Sequence, residues 1–180
     1  HDFSGLEEDV NIGHLDTIAT DTRLVSNRLP VGGVCSAANA DFGVQIDYPH
    51  FVQESTHYLA QSGCKDILYV LPTAPTEWKQ IALKAAHKNL STQGINFDTQ
   101  LCSTSGNTGK LFERRAVERL LSLPLQERPD GLIVQDDISA HTVATILSST
   151  NYRPKFVYQA NLQIPLSYPI PVVPFYLDLE

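Results

Sequence analysis

The fold is decided by one stretch of the sequence, Pro129-Asp130-Gly131-Leu132-Ile133-Val134-Gln135-Asp136-Asp137, and by the residues that follow it to Leu147. A turn-forming Pro-Asp-Gly precedes a short apolar run, and two carboxylates stand where that run ends. The apolar spacing that follows is typical of a helix. Ligands of open parallel α/β sheets bind outside the carboxyl ends of the strands, so the aspartates predict a site there. The alternative is that an aspartate only caps the helix.

Strands and helices alternate along the chain from residue 42 onward. Apolar runs predict strands at 42–46, 67–71, 95–102 and 154–159, and helical spacing predicts helices at 49–62, 76–93 and 111–123. This order implies βαβ units and a parallel sheet with right-handed crossovers. The four prolines between residues 164 and 174 predict an extended crossing or edge segment. Before residue 42 we expect a surface lead-in at 1–13, strands at 15–19 and 31–35, and a helix at 21–29.

Charge and cysteine content limit the class of protein. The chain has 180 residues, a formal net charge of −7 and no basic run, so we do not expect it to bind a nucleic-acid backbone by itself. Cys35, Cys64 and Cys102 are scattered and odd in number, which favours reduced intracellular thiols buried as small apolar groups. No apolar run is long enough to span a membrane. Small ligands and protein partners are compatible with this composition.

Motifs for catalysis, metals and phosphate binding are incomplete. The loop Gly106–Lys110 lacks the first glycine of a P-loop, where Thr104 stands, and Leu111 replaces the Ser or Thr after the lysine. The sequence has no Gly-x-Ser-x-Gly turn and no His-Glu-x-x-His pair. We therefore expect a binding protein with no catalytic residues, metal or cofactor. An enzyme that uses Asp136 and Asp137 as an acid–base pair is the alternative.

Six short segments carry a resemblance to a known family: residues 14–18, 29–31, 44–47, 58–67 and 128–137, and Ala140. In this order they are similar to the motifs xxDGII, xPVV, VxxD, hLxxxGhrxI and xPDAixxxND, and to the alanine that follows the last motif. Together they resemble the effector-binding region of the lactose-repressor (LacI/GalR) family of bacterial transcription regulators.

The resemblance implies the periplasmic-binding-protein-like fold, an α/β fold with parallel sheets. It implies part of the N-terminal lobe at residues 1–46, a nearly complete C-terminal effector-binding lobe at 47–171, and a crossing segment at 172–180. The helix-turn-helix that binds DNA in this family, and the first strands of the N-terminal lobe, would precede residue 1. The last helices of the family would lie beyond residue 180.

The resemblance also implies which side chains contact a ligand. Asp47 falls on the crossing strand, Asp137 at the end of one strand and Asn161 near the end of another, and we expect all three to make polar contacts. Trp78, early in its helix, is a candidate for stacking on a sugar ring, with core packing as the alternative. Sugar-binding members carry an arginine at the position of Ala82, so a guanidinium contact is not expected here.

These features favour the effector-sensing domain of a cytoplasmic, homodimeric transcription regulator. A small molecule, a sugar or related metabolite, would close two lobes about a hinge and thereby control DNA binding by the upstream domain. We expect no membrane contact, and DNA contact only through a domain that this chain does not include. The alternative is a periplasmic solute-binding protein of a sugar transporter, which would be preceded by a signal peptide.

Overall fold

The structure, a computed structural model, describes residues 11–14, 31–34, 42–44, 47–71, 77–101, 112–160 and 166–176. The chain divides into two compact units, residues 1–47 and 48–180.

The first unit contains a parallel sheet of three strands. These are β1 (Asn11–His14), β2 (Val31–Val34) and β3 (Phe42–Val44), in the order β1-β2-β3. The strands predicted at 31–35 and 42–46 are confirmed in their described parts. The prediction of a surface lead-in is wrong for residues 11–13, because these residues pair with β2. The pairing is made by backbone hydrogen bonds, so it needs no apolar pattern in the sequence. The strand predicted at 15–19 and the helix at 21–29 lie outside the described residues.

The second unit contains four α-helices and five strands among its described residues. In chain order these are α1 (Tyr48–Gln61), β4 (Asp66–Leu71), α2 (Glu77–Thr92), β5 (Asn96–Leu101), α3 (Phe112–Leu121), β6 (Gly131–Val134), α4 (Asp137–Ser148), β7 (Lys155–Ala160) and β8 (Val173–Tyr176). Every helix and strand predicted after residue 46 is confirmed, with ends that differ by one or two residues. The proline-rich tail supplies β8 as an edge strand, one of its two predicted roles.

The five strands are all parallel and lie in the order β5-β4-β6-β7-β8. The chain moves from β4 outward to β5 and then returns to place β6 on the other side of β4. The order of the strands therefore reverses between β4 and β6, which is the topological switch point where open α/β sheets bind ligands.

Helices cover both faces of this sheet. Alternate residues of β4 pack on opposite sides, as expected for a strand with a side-chain period of two. Leu68 and Val70 belong to the core formed with α3 and α4, while Ile67 and Leu71 belong to the core formed with α1 and α2. This double cover explains why β4 and β6 are continuous apolar runs.

Glycines end α1 and α2. Gly63 follows α1 with φ 86°, and Gly94 follows α2 with φ 69°, both in the left-handed region that glycine adopts without a steric penalty. The amide of Cys64 then donates to the carbonyl of Leu59 at 3.0 Å, and the chain turns directly into β4. These turns place the start of β4 and β5 at the same edge of the sheet.

Asp130 joins the starts of β4 and β6. Its carboxylate accepts hydrogen bonds from the amide of Lys65 at 2.9 Å and from the amide of Asp66 at 3.0 Å. Gly131 follows at a close approach, since a Cβ there would lie 3.3 Å from both Cβ and Sγ of Cys64. The Pro-Asp-Gly turn thus fixes the alignment of the two central strands.

Asp130→Ala is expected to lower the free energy of unfolding by about 1–2 kcal/mol, because two backbone amides lose a charged acceptor. Asp130→Asn is the matched control. Its free energy of unfolding should fall less, because one acceptor oxygen remains. Urea denaturation followed by circular dichroism measures both variants. An unchanged midpoint for Asp130→Ala would contradict this role.

Candidate ligand-binding site

The strand ends at one side of the second sheet form what we call the carboxyl edge: Leu71, Val134, Ala160 and Tyr176. Helices α2 and α4 follow β4 and β6 and therefore begin at this edge. Helix α1 also begins there: Tyr48, its first residue, lies beneath Lys79 in the first turn of α2, with Nζ 4.7 Å from the ring centroid. Several helix N-termini, which carry partial positive charge, thus face the same edge.

The two aspartates after β6 have different roles. Asp136 is the N-cap of α4: its carboxylate accepts from the amide of Ser139 at 2.8 Å and from the Ser139 hydroxyl at 2.8 Å. The capping alternative is therefore confirmed for Asp136. Asp137 is the first residue of α4 and is only 5% exposed. A buried carboxylate at the switch point is costly to desolvate and is a candidate for polar contact with a ligand.

Aromatic rings lie beside Asp137 on the α3/α4 face. The ring of Tyr168 is 4.9 Å from that of Tyr158 and 5.9 Å from that of His141, and its hydroxyl donates to the backbone carbonyl of Asp137 at 3.4 Å. Burial, and then the hydrogen bond with Tyr158, raise the pKa of Tyr168, so this phenol stays neutral at physiological pH. Apolar ring surface with a few polar groups is the usual composition of a small-molecule site.

On the α1/α2 face, a second group of polar side chains is buried toward the same edge. The rings of Tyr48 and Tyr69 stack with centroids 6.1 Å apart. Burial raises the pKa of Tyr48 to about 12 and raises that of Tyr69 well above its ordinary value. Gln159 in β7 is 9% exposed, and its Oε1 has no hydrogen-bond partner among the described residues. A buried amide oxygen in this state costs about 1–3 kcal/mol.

Sequence reasoning did not single out these three residues as functional. Tyr69 lies within the apolar run of a strand, and Tyr48 is the first residue of a helix. The local sequence marks neither tyrosine as functional. The signal for Gln159 was available: it is the one amide in the run Phe156–Ala160 of a strand that is otherwise apolar after its first residue.

The predicted contact residues have different positions. Asp137 lies at the carboxyl edge of the second unit, as expected. Asp47 is exposed and is the last residue of the first unit, directly before the first residue of α1. Trp78 is the second residue of α2, which begins at this edge, but its side chain is outside the described part of the structure. Asn161 follows the last residue of β7 and also lies outside the described residues.

A groove of about 460 Å³ lies at the opposite edge of the sheet, where the strands begin. We call it the amino-edge groove; its lining includes Arg128, Asp130, Arg153 and Lys155. Arg128 donates to the carbonyl of Leu121 at 2.6 Å, which closes the end of α3. A helix C-terminus favours such a cationic partner.

Arg153 does the same for α4, donating from Nη1 to the carbonyl of Leu147 at 2.8 Å and to that of Thr150 at 2.7 Å. Lys155 donates from Nζ to the carbonyl of Ser62. The cations of the amino-edge groove therefore satisfy backbone carbonyls, and we assign this groove a structural role.

Cys64 also lines the amino-edge groove. Burial and the nearby Asp130 raise the pKa of its thiol, which disfavours the reactive thiolate. The expectation of a buried thiol is confirmed for Cys64, while Cys35 and Cys102 lie outside the described residues.

The described ranges hold neither a metal site nor a membrane-spanning helix. No group of three or more His, Cys, Asp and Glu side chains there is placed to hold a metal ion. No helix in the same ranges is long and apolar enough to cross a membrane.

Comparison with solved structures identifies the fold. The Cra transcriptional dual regulator from Pseudomonas putida, in complex with fructose 1-phosphate, is similar with a TM-score of 0.67 at 16% identity over 91% of this chain. A LacI-family regulator from Arthrobacter sp. FB24, in complex with lactose, is similar with a TM-score of 0.63 at 20% identity over 84% of it. The chain has the fold of the LacI-family effector-binding domain.

Sugar-transport proteins share this periplasmic-binding-protein-like fold. The substrate-binding protein of a sugar ABC transport system from Bordetella parapertussis is similar with a TM-score of 0.64 at 15% identity over 89% of this chain. This chain spans 62% of the Pseudomonas protein, 56% of the Arthrobacter protein and 52% of the Bordetella protein. No protein-family model and no curated protein matches the sequence.

Asp136→Ala is expected to lower the free energy of unfolding by about 1 kcal/mol, because the first turn of α4 loses its cap. Asp136→Ser is the matched control and should retain most of the stability, since serine is also a good N-cap. Thermal or urea denaturation measures the difference. An equal fall in the free energy of unfolding for both variants would contradict the role of Asp136 as an N-cap.

Stability is also expected to fall at alkaline pH. The pKa values of Tyr48 and Tyr69 are raised in the folded state above the value of about 10 for an unfolded chain. Their contribution is therefore complete below pH 10 and is lost as the pH rises toward 12. Urea denaturation at pH 9 and pH 11 measures the fall, and Tyr48→Phe should reduce it. A fall of the same size in Tyr48→Phe would contradict this assignment for Tyr48.

Proposed function

We propose that this chain is the effector-sensing part of a bacterial transcription regulator of the LacI/GalR type, and that it binds a sugar or related small metabolite. The single observation that carries the proposal is the switch point of the second sheet, where the buried Asp137 begins α4 between polar and aromatic groups. The fold supports the proposal, since the similar proteins from Pseudomonas and Arthrobacter are regulators in complex with fructose 1-phosphate and lactose.

The composition of the carboxyl edge suits a polyhydroxylated ligand. Asp137 supplies a carboxylate that accepts hydrogen bonds from hydroxyl groups, and Tyr168 supplies ring surface beside it. Ala82, where sugar-binding members have an arginine, is half-buried against the core of α1 and α2. The ligand is therefore held here without that guanidinium, and we assign Asp47, Trp78 and Asn161 as its further contacts.

The regulatory step belongs to the longer protein. In this proposal, the ligand binds one arrangement of two lobes more tightly than another and so shifts the population toward it. A helix-turn-helix domain outside this chain would carry the DNA contacts, and the regulator would act as a homodimer in the cytoplasm. No catalytic step is proposed, because the polar groups at the edge come without an activated nucleophile among the described residues.

A solute-binding protein of a sugar transporter is the second candidate, because the Bordetella protein shares the fold. The residues encoded before His1 distinguish the two candidates. A basic helix-turn-helix domain there would support the regulator, and a secretory signal peptide would support the transport protein.

Ligand binding is expected to raise the melting temperature of the full-length protein, since a ligand that binds only the native state stabilises it. Thermal shift with lactose, D-xylulose and fructose 1-phosphate tests this directly. For the sugar that binds, Asp137→Asn should weaken affinity by about tenfold, because the hydrogen bonds to a charged acceptor are lost. Asp66→Asn, an exposed aspartate at the start of β4, is the control and should bind as the wild type does.

Two results would contradict the proposal in different ways. Unchanged affinity in Asp137→Asn would show that the ligand binds elsewhere. Failure of the full-length wild-type protein to bind any sugar, in this panel or a wider one, would remove the sugar-sensing function.

A further inference from the structure

Gln159 carries a buried amide oxygen that accepts no hydrogen bond from the described residues. It lies one residue before the end of β7, next to the carboxyl edge, and pairs across the sheet with Phe175 of β8. Its Oε1 is buried and has no hydrogen-bond partner among the residues that the structure describes. Most buried side-chain polar atoms in folded proteins have a partner, so this oxygen requires a specific explanation.

The alternation of β7 determines which face Gln159 occupies. Phe156, Tyr158 and Ala160 belong to the core with α3 and α4, and Val157 belongs to the core with α1 and α2. Gln159 therefore faces the same side as Val157, beneath α1. Phe175, its cross-strand partner, packs against Phe51 of α1 with ring centroids 6.4 Å apart.

Val157 and Phe175, which neighbour Gln159 on this face, are apolar. Tyr69 is on the same face, in the row of paired residues that contains Ile133 and Val157. Two strand spacings separate Tyr69 from β7, about 10 Å. A leucine or a methionine at residue 159 would fill this space without leaving a polar atom unpaired. Packing alone therefore does not explain why residue 159 has an amide side chain.

The burial of Oε1 also limits what can approach the amide. A charged group would lose its hydration without gaining an opposite charge, whereas a neutral hydroxyl brings one donor at a much smaller desolvation cost. A single O–H donor satisfies Oε1 and replaces the hydrogen bond that the fold does not supply.

We propose that Gln159 is a specificity-determining contact that accepts a hydrogen bond from a neutral hydroxyl group of the effector at the carboxyl edge. This inference rests on the proposed sugar-sensing function and adds to it a residue and a ligand group. Without ligand, Oε1 of Gln159 accepts no hydrogen bond from the described residues; with ligand, it accepts one from the hydroxyl group. Part of the ligand's binding free energy therefore comes from this oxygen.

Gln159→Leu gives two independent readouts in the full chain. Without ligand, its melting temperature should rise by about 2–4 °C, because an apolar side chain of similar size replaces the unsatisfied amide. With lactose, D-xylulose or fructose 1-phosphate, whichever binds the wild type, calorimetry should show affinity about 5- to 100-fold weaker. Gln159→Met, which keeps the unbranched shape, should behave in the same way.

Gln100→Leu is the matched control, since Gln100 lies one residue before the end of β5 in the same sheet. Its Nε2 donates to the carbonyl of Ala116 at 3.4 Å, so its amide has an internal partner. This variant should be slightly less stable than the wild type and should bind the sugar with unchanged affinity.

The outcomes separate this inference from the proposed function. A lower melting temperature for both Gln159→Leu and Gln159→Met would show that the amide stabilises the unliganded fold, and would overturn the inference. Unchanged affinity in both variants, for a sugar that the wild type binds, would overturn it as well while the proposed function stands. Failure of the wild type to bind any sugar would remove both together.

Discussion

The parallel pairing of β4 with β6 is the constraint on which the rest of the second unit depends. The register runs from Ile67 opposite Gly131 to Val70 opposite Val134, and the Asp130 carboxylate holds its starting end by accepting from two amides of the β4 turn. Because β5 lies on the other side of β4, the connections after β4 and β6 leave the sheet toward opposite faces. The space between them is where a ligand can reach several strand ends at once.

Much of this arrangement follows from the sequence around that pairing. The run Leu132–Val134 is short, apolar and bounded by a Pro-Asp-Gly turn and two aspartates, so its type, ends and parallel neighbours are all predictable. The aspartate pair was ambiguous because capping and ligand contact use the same residue type. The structure separates them: Asp136 caps α4, and Asp137 is buried one position later.

Other features depend on packing between distant segments, which a local pattern does not contain. The polar residues of β1 gave no strand signal, since that strand is defined by its pairing with β2. Tyr168 lies in a proline-rich segment, and only the folding of that segment over α4 brings its ring beside Tyr158 and His141. The unsatisfied amide of Gln159 likewise depends on what surrounds it, because an exposed glutamine in the same strand would be solvated.

The central claim is that a small molecule binds at the carboxyl edge of the second sheet. Amide chemical-shift mapping during titration with a sugar that raises the melting temperature tests it most directly. We predict that the largest shifts occur at residues 135–139 and 158–160, with little change at residues 62–66 and 128–131. Shifts concentrated at residues 62–66 and 128–131 would place the ligand in the amino-edge groove and contradict the claim.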